Sequence, residues 1–122
     1  MISKDLELLP PELAARSISD EEIVLRQAEA LRAIDILESK GVLILGWEGW
    51  VKTKLGDVGH GGPQGTESLG ALSVEEAAAF CRATIWEEAA LWTVDNPGRT
   101  DELHFCITID AEGEVARRRR HA

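Results

Sequence analysis

The sequence lacks the features of membrane, secreted and disulfide-stabilised proteins. No apolar run approaches the roughly 18–20 residues that a membrane-spanning helix needs, and the N-terminal residues have no basic stretch followed by an apolar one. We therefore expect neither a membrane segment nor a signal peptide. The two cysteines do not form a Cys-x-x-Cys motif, which predicts reduced thiols in the cytoplasm, with an 81–106 disulfide as the alternative.

Phosphate-binding and serine-hydrolase motifs are also missing. Residues 56–70 are rich in glycine, but no lysine follows a glycine there as a P-loop requires, and Gln64 occupies the last glycine position of GxGxxG. The chain Gly65-Thr-Glu-Ser-Leu-Gly is not GxSxG. A glycine-rich segment of this length is typical of a surface loop, a lid or a binding loop.

Metal and thiol chemistry have weak support. A metal site would need His60, Cys81, His104 and Cys106 to converge, and only the last two are close in sequence. A Cys106 nucleophile with His60 as its base has no third residue to orient the pair, and nearby carboxylates would raise the thiol pKa. We predict no catalytic residue, no metal and no cofactor, and the sequence favours a binding protein over an enzyme.

Charge is the most informative part of the composition. The formal net charge is −9, although residues 117–120 are four consecutive arginines. Without them the chain has a net charge of −13, which disfavours binding to nucleic acid. A negative protein attracts and steers a basic partner. Solubility alone is the alternative explanation of this charge.

Two segments have helical spacing. The first is predicted at residues 20–39, where Ser19 and Glu22 form a capping box and Gly41 is a suitable stop. The second begins at the capping box of Ser73 and Glu76 and ends near residue 93. Its predicted core stripe contains Val74, Ala78, Cys81, Ile85, Ala89 and Trp92, widened by Phe80, Thr84 and Leu91.

The second helix also has an unusual outer stripe of Ala79, Ala83, Trp86 and Ala90. Three alanines around one tryptophan are not typical of a solvated face. We expect this stripe to pack against the first helix, the N-terminal residues or another molecule.

Two segments have the character of strands. Residues 42–54 predict an interior strand, with a bulge near Gly46 and Gly49 and with Glu48 and Trp50 pointing away from the main core. Residues 103–109 alternate as in a half-buried strand, and a hairpin turn at 111–113 would lead into a strand at 114–118.

Together these segments predict an α+β protein in which two main helices pack on a small, mostly antiparallel sheet as a single pair of layers. We expect one domain over residues 1–122. Residues 1–10 would form a loose arm before a short helix at 12–16, and residues 119–122 a frayed basic tail.

The favoured function is binding to a basic protein, as an immunity-type inhibitor binds a cationic toxin or enzyme domain. Acidic residues would steer the approach and a central tryptophan would supply the desolvated contact. The predicted interface consists of Trp47, Glu48, Trp50, His60, Trp86 and Glu87.

Two alternatives remain open. Glu48 between Trp47 and Trp50 would suit a small-molecule or carbohydrate site, or an enzyme in which Glu48 acts with Glu87 or Glu88. The stripe of Ala79, Ala83, Trp86 and Ala90 would instead suit a structural homodimer.

Overall fold

The computed structural model describes residues 3–59 and 69–115. In chain order these ranges contain helices α1 (Lys4–Glu7) and α2 (Pro11–Ala14), strand β1 (Ile23–Leu25), helix α3 (Gln27–Ser39), strands β2 (Ile44–Lys52) and β3 (Val58–Gly59), a 3₁₀ turn (Leu69–Ala71), helix α4 (Val74–Asp95) and strand β4 (Glu102–Ile109). The strands form one antiparallel sheet in the order β1-β4-β2-β3. The predicted α+β class, with two main helices on an antiparallel sheet, is confirmed.

The sheet has two faces with different surroundings. One face lies under α3 and α4 and holds the main core; we call it the helix-covered face. The opposite side is called the second face. Register places Ile23, Leu25, Ile44, Trp47, Phe105 and Ile107 on the helix-covered face, and Val24, Glu48, Trp50, Lys52, His104 and Cys106 on the second face.

The prediction of a helix at residues 20–39 is wrong for its first part, because residues 23–25 form a strand. Ser19 Oγ does accept hydrogen bonds from the N–H groups of Glu21 and Glu22, at 3.2 and 3.1 Å, but no helix follows. Ile23 and Val24 are β-branched and fully buried, and they pair with β4. Burial in the sheet therefore outweighs the local cap, and α3 begins only at Gln27.

The outer edge of β1 is covered by the segment that precedes it. Ile18 N–H donates to the carbonyl of Val24, and Val24 N–H donates to Ser17 Oγ, both at 3.0 Å. These bonds satisfy the edge groups that β1 would otherwise leave exposed.

Residues 3–10 pack against the rest of the protein and do not form a loose arm. Ser3 caps α1, accepting a hydrogen bond from the N–H of Leu6 at 3.3 Å. The side chains of Leu6, Leu9 and Leu13 are buried and belong to the hydrophobic cluster of the protein. The short helix predicted at 12–16 is α2, which begins with Pro11. The apolar spacing of these leucines explains why the segment packs on the sheet and helices.

Strand β2 lies inside the sheet as predicted, but its irregularity changes which side chains share a face. The register shifts between Ile44 and Gly46, which makes Leu45 the extra residue, while Gly49 pairs regularly with Phe105. The shift moves Ile44 to the face of Trp47. Alternation without a bulge would place Ile44 on the face of Trp50.

Strand β4 is buried on both faces at its centre, in contrast to the half-buried strand predicted. It lies between β1 and β2, and its second-face side chains His104 and Cys106 are each only 2% exposed. In the described part of the chain no strand follows β4. Residues 114–115 are helical, and residues 116–118 of the predicted strand lie outside the described ranges.

Helix α4 agrees closely with the prediction. The capping box of Ser73 and Glu76 is formed, and the predicted core stripe is buried at Ala78, Cys81, Ile85 and Ala89. The expected widening by Phe80 and Leu91 is wrong, because both are exposed.

Within the described ranges, none of the helices is both long and apolar enough to cross a membrane.

Candidate functional sites

The structure separates the residues predicted to form one interface. Trp47 is 3% exposed on the helix-covered face, and its indole N–H donates to Thr84 Oγ1 at 2.8 Å. Glu48 and Trp50 lie on the second face, where Trp50 Nε1 donates to Glu48 Oε1 at 2.9 Å. Trp47 is therefore a core residue.

Trp86 and Glu87 are exposed on α4, which covers the opposite side of the sheet from Trp50. The sheet and the helix layer therefore separate Glu48 and Trp50 from Trp86 and Glu87, and these residues do not form one interface. His60 lies outside the described residues. Two separate candidate sites remain: the outer side of α4 and the second face.

The outer side of α4 is an apolar surface. Its exposed apolar residues are Ala79, Phe80, Ala83, Trp86, Ala90, Leu91 and Val94; we call this set the α4 surface. Trp86 is 62% and Val94 73% exposed. The residues recur at helical spacing, so they line one side of a 22-residue helix. Contiguous exposed apolar side chains of this kind mark interaction sites.

The charged residues of α4 are nearly all acidic. Glu75, Glu76 and Glu87 are exposed on the same side as the α4 surface. The one basic residue of the helix is Arg82, which binds Asp35 and Glu38 of α3 at 3.0 and 2.8 Å. The α4 surface is therefore mainly apolar, with Glu75 and Glu76 at its N-terminal border and Glu87 among its apolar residues, one turn from Ala83 and Leu91.

On the second face, a buried thiol lies among carboxylates. Cys106 Sγ donates to Glu22 Oε2 at 3.0 Å, and Cys106 is the cross-strand neighbour of Glu48. Burial raises the pKa of Cys106, and the hydrogen bond to Glu22 and the charges of Glu22, Glu48 and Asp5 raise that pKa further. Burial, with the charge of Glu22, also raises the pKa of Asp5. Cys106 therefore acts as a protonated donor and is unsuited to be a nucleophile.

The other cysteine lies on the opposite side of the sheet. Cys81 is buried on α4 in the main core, and burial raises its pKa to about 12. Both cysteines are free, so the alternative of an 81–106 disulfide is wrong. Among the described residues, no group of three or more His, Cys, Asp or Glu side chains is arranged to hold a metal ion.

His104 is a buried titratable group on the second face. Its Nδ1 lies 3.2 Å from the carbonyl oxygen of Glu102, and because a carbonyl only accepts, Nδ1 carries the hydrogen. Burial lowers the pKa of His104; the bond and charge of Glu102 oppose this, and the charges of Arg26 and Lys52 add to it. The imidazole is therefore neutral at pH 7.

This predicts that the free energy of unfolding falls as the pH is lowered from 7.5 to 5. The unfolded chain protonates His104 near its ordinary pKa of 6.5, whereas the folded protein does so only at lower pH. Stability is therefore lost as pH falls through 6.5, and the loss levels off below the folded pKa. Urea unfolding at several pH values measures it. His104→Gln should show a smaller pH slope, and equal slopes in the two proteins would contradict the prediction.

A groove opens beside Trp50. Its volume is about 830 Å³. Apolar side chains from three parts of the chain line it: Leu6, Pro11, Ala14, Ile18, Trp50 and Val58. Ser17, Ser19 and Asp20 complete the lining on the side of the N-terminal helices.

Sequence reasoning missed this groove and the Glu22–Cys106 contact. Glu22 was interpreted as a helix-capping residue, and the N-terminal residues as a loose arm. The regular spacing of Leu6, Leu9 and Leu13 was the signal that the arm packs against the protein. Nothing in the sequence indicated that Glu22 lies beside residue 106.

The fold and these surfaces define an acidic α+β protein with an apolar helix surface on one side and an apolar groove on the other. In comparisons with known proteins, no family model, no curated protein and no solved structure matches the chain.

Proposed function

We propose that this protein binds a basic protein partner through the α4 surface. The observation that carries the proposal is Trp86, which is 62% exposed among other exposed apolar side chains. Burying a large aromatic side chain in a partner is the commonest source of interface affinity. An indole side chain that is exposed to water, as that of Trp86 is, contributes little to the stability of the fold.

Charge supports a basic partner. The formal net charge is −9; Glu75 and Glu76 border the α4 surface and Glu87 lies within it. A partner that presents lysine or arginine around an apolar patch, such as an amphipathic helix, matches both the border and the centre. Inhibition of a cationic toxin or enzyme domain, as by an immunity protein, is the specific form of this proposal.

The same surface suits a homodimer less well. Two copies joined through α4 would place Glu75, Glu76 and Glu87 of both copies in one interface, and like charges in an interface oppose association. The alternative with Glu48 flanked by two tryptophans loses one of them, because Trp47 is in the core on the opposite face. A small-molecule site without Trp47 is favoured only by the groove beside Trp50.

Trp86→Ala should weaken partner binding by more than about 2 kcal/mol, or about 30-fold in Kd, because Trp is the typical centre of an interface. The immobilised protein is used to capture proteins from an extract of the source cells. The captured partner is then purified, its isoelectric point determined, and its Kd measured by calorimetry. The free energy of unfolding should change by less than about 0.5 kcal/mol, because the side chain is exposed.

Leu55→Ala is the matched control, since Leu55 is 91% exposed and lies in the turn between β2 and β3, away from α4. It should bind the partner as the unaltered protein does. Equal binding by both variants, or an acidic partner, would refute the proposal. A dimer in light scattering that Trp86→Ala converts to a monomer would establish the homodimer instead.

A further inference from the structure

We propose that the groove beside Trp50 binds a small organic ammonium ion, with an apolar or aromatic body and one positive charge. The site lies on the second face, away from the α4 surface. It is therefore independent of the protein-binding function proposed above, and its test needs no partner protein.

The shape of the groove suits a small ligand. Leu6, Pro11 and Ala14 form the wall on the side of the N-terminal helices, and Trp50 and Val58 form the wall on the side of the sheet. The volume of about 830 Å³ is within the range of ligand sites, and such sites are mostly apolar with a few polar groups that select the ligand. The concave shape distinguishes this site from the convex outer side of α4.

The charged side chain in the described lining of the groove is acidic. Asp20 is the one charged residue among the described residues that line it. Glu48 is hydrogen-bonded to Trp50, so a second carboxylate lies next to the lining. Glu22 lies on the same face, because Cys106 donates to Glu22 Oε2 at 3.0 Å and is the cross-strand neighbour of Glu48. Lys52 lies next to Trp50 on the same face of β2, and its cross-strand neighbours are Val58, which lines the groove, and Glu102, which offsets its charge.

Asp20 in the lining and Glu48 beside Trp50 favour a cation among ligands of equal size. A carboxylate ligand would be repelled, and a neutral ligand would gain only the apolar contact. The indole of Trp50 adds a further preference for a cation, because an ammonium group is attracted to the face of an indole ring. The bond to Glu48 fixes the indole edge, which reduces the entropy lost when a ligand packs on the ring.

The test is a titration of the ¹⁵N-labelled protein with 2-phenylethylammonium, followed in ¹H–¹⁵N spectra. The four tryptophans supply indole N–H signals, and the signal of Trp50 is assigned from its loss in Trp50→Phe. We expect a saturable shift of the Trp50 signal and none for Trp86. The neutral analogue 2-phenylethanol should bind at least about tenfold more weakly, and 3-phenylpropanoate should cause no saturable shift.

Two substitutions that each remove one negative charge distinguish a local effect of charge on ligand binding from a general one. Asp20→Asn should weaken binding of the ammonium at least about threefold, since Asp20 lines the groove. Asp95→Asn, at the end of α4, should leave it unchanged. Both residues are exposed, so both variants should fold. The proposal is overturned by the absence of a saturable shift, by equal affinity for the ammonium and the alcohol, or by equal behaviour of the two variants.

Discussion

Replacing Phe105 with alanine should lower the free energy of unfolding by about 3–5 kcal/mol. Phe105 is 0% exposed and lies on the central strand β4. Its ring contacts that of Trp47 edge to face, with centroids 5.2 Å apart and planes at 69°. Removing the ring leaves a cavity at the centre of the helix-covered face, and β4 cannot move to fill it because strands pair with it on both sides.

The measurement is urea unfolding followed by circular dichroism. The chain has two phenylalanines, and the other is the matched control: Phe80 is 42% exposed on α4, so Phe80→Ala should cost less than about 1 kcal/mol. Phe105→Leu should retain the fold at a cost of about 1–1.5 kcal/mol, and it makes the test possible if the alanine variant does not fold. A loss below about 1 kcal/mol in Phe105→Ala would contradict the structure.

Trp47→Ala should have an effect of similar size, about 3–5 kcal/mol. The side chain is 3% exposed, in the same core cluster as Phe105. Besides its apolar contacts it donates a hydrogen bond to Thr84 Oγ1 across the boundary between β2 and α4. The substitution therefore removes packing and a direct tie between the sheet and the helix layer.

Trp47→Phe keeps a ring and removes the donor, so it should cost only about 1–2 kcal/mol. Combining Trp47→Ala with Phe105→Ala should cost less than the sum of the single changes, because the two rings contact each other. Trp86→Ala is the comparison for an exposed tryptophan and should leave unfolding nearly unchanged. If Trp47→Ala left stability intact and weakened partner binding, the sequence-based assignment of Trp47 to an interface would be right after all.

Helix α4 shows how much local sequence predicts. Its start was predicted from Ser73 and Glu76, which form reciprocal hydrogen bonds within four residues. Its buried residues were predicted from 3–4 spacing, and its exposed stripe from a second set with the same spacing. The cap and the two stripes depend only on the geometry of a single helix, so they can be predicted without knowing which distant residues contact it.

The segment around β1 shows the opposite case. Ser19 and Glu22 satisfy a helix-capping pattern, and the periodic residues after them continue it. Whether residues 23–25 are helix or strand depends on Phe105 and Ile107, the residues with which Leu25 and Ile23 pair. The energy of that pairing comes from a strand about 80 residues further along the chain, and a local pattern contains no information about it.

The candidate sites divide in the same way. Trp86 was identified as an unusual residue for a solvated face from the alanines around it. Alternation placed Trp47 and Trp50 on opposite faces and Trp50 away from the main core, but the burial of Trp47 depends on α3 and α4 covering its face of the sheet. The groove forms because the N-terminal helices, residues 17–20 and β3 all lie beside Trp50. The spacing of residues in the sequence does not predict that these segments are adjacent.

The sequence by itself thus determined the α+β class, the extent and two-sided character of α4, the interior position of β2 and the acidic charge, because periodicity, capping and composition are local properties of the chain. Only the tertiary structure decided that residues 23–25 form a strand, that Trp47 lies in the core, and that Cys106 lies beside Glu22. Those outcomes depend on the free energy of burying residues that are distant in sequence, which is released only when the whole fold forms.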